Sequence, residues 1–245
     1  MNKLILWSCL LFSMLTHAEE RPELRVAVKA FAPPFVTQQS PTQFYGFDIA
    51  MMNYVCAKLQ RRCEFIPMVA ENYADLLNRD LADIAIGALV IMPQRPKNIT
   101  FSTPYLTSKA EYLASPELSK QPQAQINFNE KRIGVVRNSA YYFYLKKNLK
   151  TMSKVIQYDS DNQVMAALEE QRIDIALVNK LVAEYWNQAS PQISALGEPF
   201  EFGFGLGIAM PMNDKKQLTD INNALFDYQS SPNFKRDYDI YLQRF

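Results

Sequence analysis

Apolar residues along this chain of 245 residues alternate in short runs or recur at helical spacing, and the two patterns take turns. Leu24-Arg25-Val26-Ala27-Val28 reads as a strand, which the Pro33-Pro34 pair breaks. Gly46-Phe47-Asp48 leads into a helical stretch at 49–59, and Glu64-Phe65-Ile66-Pro67 returns as a strand. The pattern predicts a helix over 73–79 and a buried strand at Asp83-Ile84-Ala85-Ile86-Gly87-Ala88. It then starts again. Arg132-Ile133-Gly134-Val135-Val136 is a second opening strand, helices follow at 140–149 and 162–170, and Ile173-Asp174-Ile175-Ala176-Leu177-Val178 is a buried strand. Ala82-Asp83-Ile84-Ala85 and Ile173-Asp174-Ile175-Ala176 echo each other, each after an amphipathic helix. Strands separated by helices predict parallel pairing and an α/β class, and the echo predicts two similar lobes. Between them, 115–128 is rich in Pro, Gln and Ser and reads as surface loop. Phe202-Gly203-Phe204-Gly205-Leu206-Gly207-Ile208 lacks the G-x-G-x-x-G spacing of a dinucleotide site and reads as an extended crossing between lobes. Helices at 216–229 and 232–242 close the chain.

Charge removes one class of partner. With 26 Lys+Arg against 25 Asp+Glu, the net charge of +1 leaves no footprint for nucleic acid or an anionic membrane. The first residues remove another. Met1-Asn2-Lys3 is a positive start, 4–15 is mostly apolar, and Thr16 and Ala18 stand at the −3 and −1 positions of a cleavage site. This layout predicts a secretory signal peptide over 1–18, cut after Ala18, and so an exported chain. A membrane-spanning helix needs about 20 apolar residues, more than the run offers. Lipidation of Cys9 is the other reading, with the bulky Trp7 against it. Cleavage takes away Cys9 and the chain's one histidine, His17. Catalysis by Ser-His-Asp or Cys-His arrangements then lacks its base, and His-rich zinc sites lack their ligands. No metal or cofactor is expected. Cys56 and Cys63, seven apart in an exported chain, suit one structural disulfide, two free thiols being the alternative.

Gly46-Phe47-Asp48-Ile49, Asp83-Ile84-Ala85-Ile86-Gly87, Pro93-Gln94-Arg95-Pro96-Lys97 and Phe101-Ser102-Thr103-Pro104-Tyr105 occur in that order, followed by Ile133-Gly134-Val135 and Ile173-Asp174-Ile175-Ala176. In this the chain resembles the periplasmic amino-acid-binding proteins of ABC importers over nearly all of its length past residue 18. The resemblance implies the type II periplasmic-binding fold, two α/β lobes joined by two crossing hinge strands that close on a ligand. Lobe 1 would comprise 19–110 and 205–245, and lobe 2 would comprise 111–204. It implies a monomeric solute-binding protein, not an enzyme, that binds a small polar, carboxylate-bearing solute and presents it to an inner-membrane ABC permease. The spacing of Cys56 and Cys63 is similar to the disulfide of the subgroup that binds basic amino acids.

The resemblance also carries site residues. Arg95 falls where the family binds the ligand carboxylate, and its planar fork suits a bidentate pair, a solvent-facing arginine being the plainer role. Ser139, with Tyr141 beside it, matches a ligand-facing position at a helix N-terminus, where a simple N-cap is the alternative. Tyr73 and Phe31 are expected as walls or as core. The departures concern the ammonium and the side chain. Asn179 stands where the family has an acid, and Gly87, Ala88 and Val90 stand where it has hydroxyls, so only backbone contacts could survive there. Lys29 stands where binders of basic amino acids are acidic, which favours an acidic amino acid, a dicarboxylate or another anion. Two alternatives share the fold. One is a dehydratase of the cyclohexadienyl type, with Glu71, Glu201 or Asp161 as acid. The other is a sensor or partner module that has lost amino-acid binding. Mass spectrometry of the exported protein is expected to find Glu19 as its first residue; a lipidated Cys9 or an intact Met1 would contradict the export reading.

Overall fold

Runs of small and β-branched residues without alternation build strands that are covered on both faces. Val26, Ala27 and Val28, then Ile84, Ala85 and Ile86, are completely buried, as are Ile175, Ala176 and Leu177. In the computed structural model, which describes residues 22–149 and 154–243, such strands form two five-stranded sheets. The segment with the expected signal peptide, Cys9 and His17 lies outside the described residues.

The first sheet runs Arg62–Met68, Glu23–Lys29, Ile84–Ile86, Ala209–Pro211, Ile99–Phe101. Its first three strands are parallel, and Ala209–Pro211 is antiparallel to both neighbours. The second runs Val155–Tyr158, Ile133–Val136, Ile175–Asn179, Lys109–Ala114, Ser194–Glu201, again three parallel strands and then two antiparallel pairings. The chain leaves the first sheet after Phe101 and re-enters it at Ala209, so it crosses between the sheets twice. The repeated pattern predicts the two α/β lobes, and the resemblance implies the two crossings that join them. A small antiparallel sheet, Phe31–Ala32, Val36–Ser40 and Gln43–Tyr45, was not legible in that pattern.

The echo at Asp83 and Asp174 has one physical cause in both lobes. Each aspartate precedes a buried strand and clamps an arginine near the start of the adjacent one, Arg25 in Glu23–Lys29 and Arg132 just before Ile133–Val136. The Arg25 N–H donates to Asp83 Oδ2 at 2.7 Å, and the Arg132 N–H donates to Asp174 Oδ2 at 2.7 Å. The guanidinium groups add bonds of 2.6 Å and 2.7 Å to the other carboxylate oxygens. Burial raises both carboxyls, but the arginine hydrogen bonds outweigh it and hold them below the usual carboxylate range.

Helix Phe47–Lys58 carries the core of the first lobe. The Phe47 ring meets Tyr105, Tyr228 and Phe234, which ties the closing helices Lys215–Gln229 and Pro232–Tyr241 to it. The disulfide Cys56–Cys63, with Cα atoms 5.8 Å apart, joins this helix to strand Arg62–Met68. The segment expected as loop at 115–128 lies largely at the surface but holds two short helical turns, Pro116–Ser119 and the 3-10 turn Gln123–Gln125. Ser115 caps the first by accepting from the Leu118 N–H, and Pro116 at its first position is preset for a helix. Asp83→Asn and Asp174→Asn are each expected to lower stability by about 1–3 kcal/mol, since each leaves a charged hydrogen-bond network short. Being in different lobes, the two losses should add to within about 0.5 kcal/mol in denaturant unfolding, and strong non-additivity would show that the clamps are coupled.

Candidate ligand-binding site

A cavity of about 670 Å³ lies between the lobes. The first lobe lines it with Glu71, Tyr73, Val90, Arg95 and Phe101, and the second with Asn138, Ala140, Phe143, Tyr144 and Lys147. Tyr73 opens the short helix Tyr73–Asn78, and its ring meets Phe101 edge-on at 6.0 Å. Burial, and then the charge of Glu71, push its hydroxyl up, so it remains a phenol at neutral pH. Arg95 is exposed on the loop after Val90 and makes no ion pair among the described residues, so its fork is open to a carboxylate. Helix Ala140–Asn148 begins at the opposite wall, and Phe143, 52% exposed, stands on it beside Lys147. The chemistry is that of an aromatic and apolar slot with two cations and one carboxylate.

Of the ten expected ligand contacts, Tyr73, Val90 and Arg95 line this cavity. The others are engaged elsewhere. Ser139 is completely buried and caps its helix, accepting from the Tyr142 N–H at 3.2 Å while its own N–H donates to the Val136 carbonyl. Its neighbours Asn138 and Ala140 face the cavity instead. Asn179 is likewise a cap: its Oδ1 accepts from the Leu181 N–H at 2.9 Å. Phe31 meets Trp186 of the other lobe, ring centroids 6.2 Å apart. Tyr141 is buried against Phe202 at 4.8 Å, and burial with the charges of Glu71 and Asp161 pushes its hydroxyl well up.

The backbone contacts expected of Gly87 and Ala88 are spent on Asp48. Both N–H groups donate to Asp48 Oδ2, at 3.0 and 2.9 Å, and the Tyr105 hydroxyl donates to the same atom at 2.9 Å. This knot holds a left-handed turn, φ +122° at Gly87 and +53° at Ala88, from which the chain runs on to the cavity wall at Val90. Asp48 itself is completely buried, and its Oδ1 has no hydrogen-bond partner. Burial outweighs the three donated bonds and pushes its carboxyl up to about 6.

Lys29 has partners that the electrostatic expectation did not count. Its ammonium lies 3.3 Å from Glu71 Oε1 and 3.0 Å from Asp161 Oδ2. The side chains of Lys29 and Glu71 are 7% exposed and that of Asp161 is 5% exposed. Burial works to lower the lysine, but attraction to the two acids outweighs it and holds the ammonium charged. Burial raises the Glu71 carboxyl. The third acid considered from sequence, Glu201, pairs instead with Lys109 on the surface. No motif marked Glu71 or Asp161 as a pair; the available signal was Lys29 itself, since a lysine closing a strand buried on both faces requires acids.

Residues 24–244 match the model of the family described as bacterial extracellular solute-binding proteins, family 3. ABC transporter arginine-binding protein 1 of Escherichia coli K12 is 29% identical over 92% of this chain and 92% of its own. A Salmonella typhimurium periplasmic binding protein solved to explain its high arginine specificity superposes with a TM-score of 0.82 at 22% identity, covering 90% of this chain and 99% of that one. An ancestral amino-acid-binding precursor of cyclohexadienyl dehydratase gives 0.79 at 21% identity, over 90% and 95% of the two chains.

Asp48 generates a test with a defined sign. A folded-state carboxyl at about 6 against about 3.9 unfolded means that the folded protein binds the extra proton between those values. Relative to Asp48→Asn, which keeps an acceptor without a charge, the native protein should therefore lose stability as pH rises from about 4 to about 6. Urea unfolding of both proteins across that window checks it, and parallel curves would show that Asp48 is unperturbed.

Proposed function

This chain belongs to the bacterial extracellular solute-binding proteins of family 3, and on that premise we propose which solute its cleft takes. It is a periplasmic amino-acid-binding protein of an ABC importer, a binding protein and not an enzyme. The solute is an amino acid with a cationic side chain, of the arginine type. Its α-carboxylate pairs with the Arg95 fork, its aliphatic stem lies between Tyr73 and Phe143, and its cationic head turns toward Glu71. The observation that carries this reading is the arithmetic of the buried cluster: one lysine faces two carboxylates, and Glu71 is the member that borders the cavity. A cation beside Glu71 neutralises the excess, whereas a second carboxylate adds to it. The arginine named for the relatives supports the same assignment.

The anionic solute expected from Lys29 is not favoured, because that charge is already shared by Glu71 and Asp161. The dehydratase reading is not favoured either: its relatives are binding proteins, Glu201 is exposed and paired, and the other two acids hold Lys29. We take 19–110 with 205–245 as one moving body and 111–204 as the other. The chain works as a monomer, exported by cleavage after Ala18, that delivers its solute to an inner-membrane permease.

Calorimetry with arginine, lysine, glutamate and succinate tests the assignment. Arginine is expected to bind, and Arg95→Ala should weaken it by about 10- to 100-fold, the loss of one charge-assisted contact at roughly 1.5–3 kcal/mol. Glutamate or succinate binding in arginine's place would overturn it.

A further inference from the structure

The lobes touch through backbone groups as well as side chains. The Ala70 N–H donates to the Asp159 carbonyl at 2.9 Å, and the Glu71 N–H donates to the Arg137 carbonyl at 3.2 Å. Phe31 and Trp186 make a further contact, and Lys29 makes another. It ends strand Glu23–Lys29 of the first lobe, in register with Met68, three residues before Glu71. Asp161 is the first residue of helix Asp161–Glu169 in the second lobe, which packs on Phe31–Ala32. The lysine thus keeps one acid of its own lobe and reaches one acid of the other.

Without a cation, closing these surfaces would press two carboxylates together out of water, which like-charge repulsion and lost hydration both oppose. No solute group is needed to supply that cation, because the chain supplies it. The lysine is also held in place beforehand. A Cβ added at Gly87 would come within 2.9 Å of both Lys29 Cβ and Cγ, so the stem runs in a groove that only glycine leaves open.

We propose that Lys29 is a tethered counter-ion that closes the lobes by capturing Asp161, so that the closed form is reached before the solute binds. Glu71 keeps the ammonium charged and aimed while the lobes are apart. Closure is then set by the chain's own charges and is the same whichever solute the cavity accepts. Solute binding adds little further compaction.

Small-angle scattering on the full protein, freed of solute by unfolding, dialysis and refolding, tests this. The solute-free protein is expected to scatter as the closed structure does. Lys29→Met and Asp161→Asn should each increase its radius of gyration, whereas Glu71→Gln, which leaves a neutral Lys29–Asp161 pair, should stay compact. A solute-free native protein as expanded as Lys29→Met, or a Lys29→Met as compact as the native protein, would overturn the proposal. Should the variants fail to fold, amide exchange in the native protein decides alone. The Ala70 and Glu71 N–H groups, which donate across the lobes, are expected to be protected without solute, and fast exchange at both would sink the idea.

Discussion

A charge buried away from water must meet its opposite inside the protein, and Lys29 imposes that constraint on this fold. Its strand is covered on both faces, so the ammonium cannot turn back to solvent. It finds Glu71 within its own lobe and Asp161 across the cleft, and the three side chains are almost wholly enclosed. The cluster joins the two lobes, holds the Glu71 side chain and leaves that carboxylate on the border of the cavity. A methionine at 29, unbranched like lysine but uncharged, would leave two acids facing each other, so the cluster is a condition on closure and not an ornament of it.

The remaining buried charges do a different job. Asp83 and Asp174 fasten the start of a sheet in each lobe, and Asp48 fastens the turn that leads to Val90. Each takes backbone N–H groups that a parallel sheet leaves unpaired at its ends. Division of labour results: scaffold acids consume backbone donors, and the donors near the first-lobe wall are therefore not free for a solute. What the walls offer a solute instead is side chains, among them the Arg95 fork, the Tyr73 and Phe143 rings and the Glu71 carboxylate.

Much of this was legible in the sequence, for identifiable reasons. Strand and helix periodicity located the two lobes, because parallel strands are continuous apolar runs and their helices are amphipathic. The Asp-Ile echo was visible, and the structure supplies its cause in paired Arg–Asp clamps. The Cys56–Cys63 pair was legible from spacing. The hairpin at Phe31–Tyr45 was not, since polar residues such as Thr37, Gln38 and Gln39 hide its alternation. Site residues read by resemblance fared unevenly. Arg95, Tyr73 and Val90 border the cavity, whereas Ser139 and Asn179 serve as caps, the plainer role that small polar residues before a helix often take. Residue type cannot separate a cap from a ligand contact, because both need the same acceptor in the same place.

Lys29 is the most instructive case, since its charge reads as a contact for an anion in the sequence and is paired with two acids in the fold. Taken alone, a lysine in a cleft raises the local potential and favours an anion. Charge is not a property of one residue, however, but of the set that shares a dielectric. Glu71 and Asp161 are 42 and 132 positions further along the chain, beyond the reach of any spacing rule, and only the fold brings them to the ammonium. With both counted, the cluster turns from a source of positive potential into a sink for a cation. Glu71 puts a carboxylate on the border of the cavity, and Lys29 cannot be read without it.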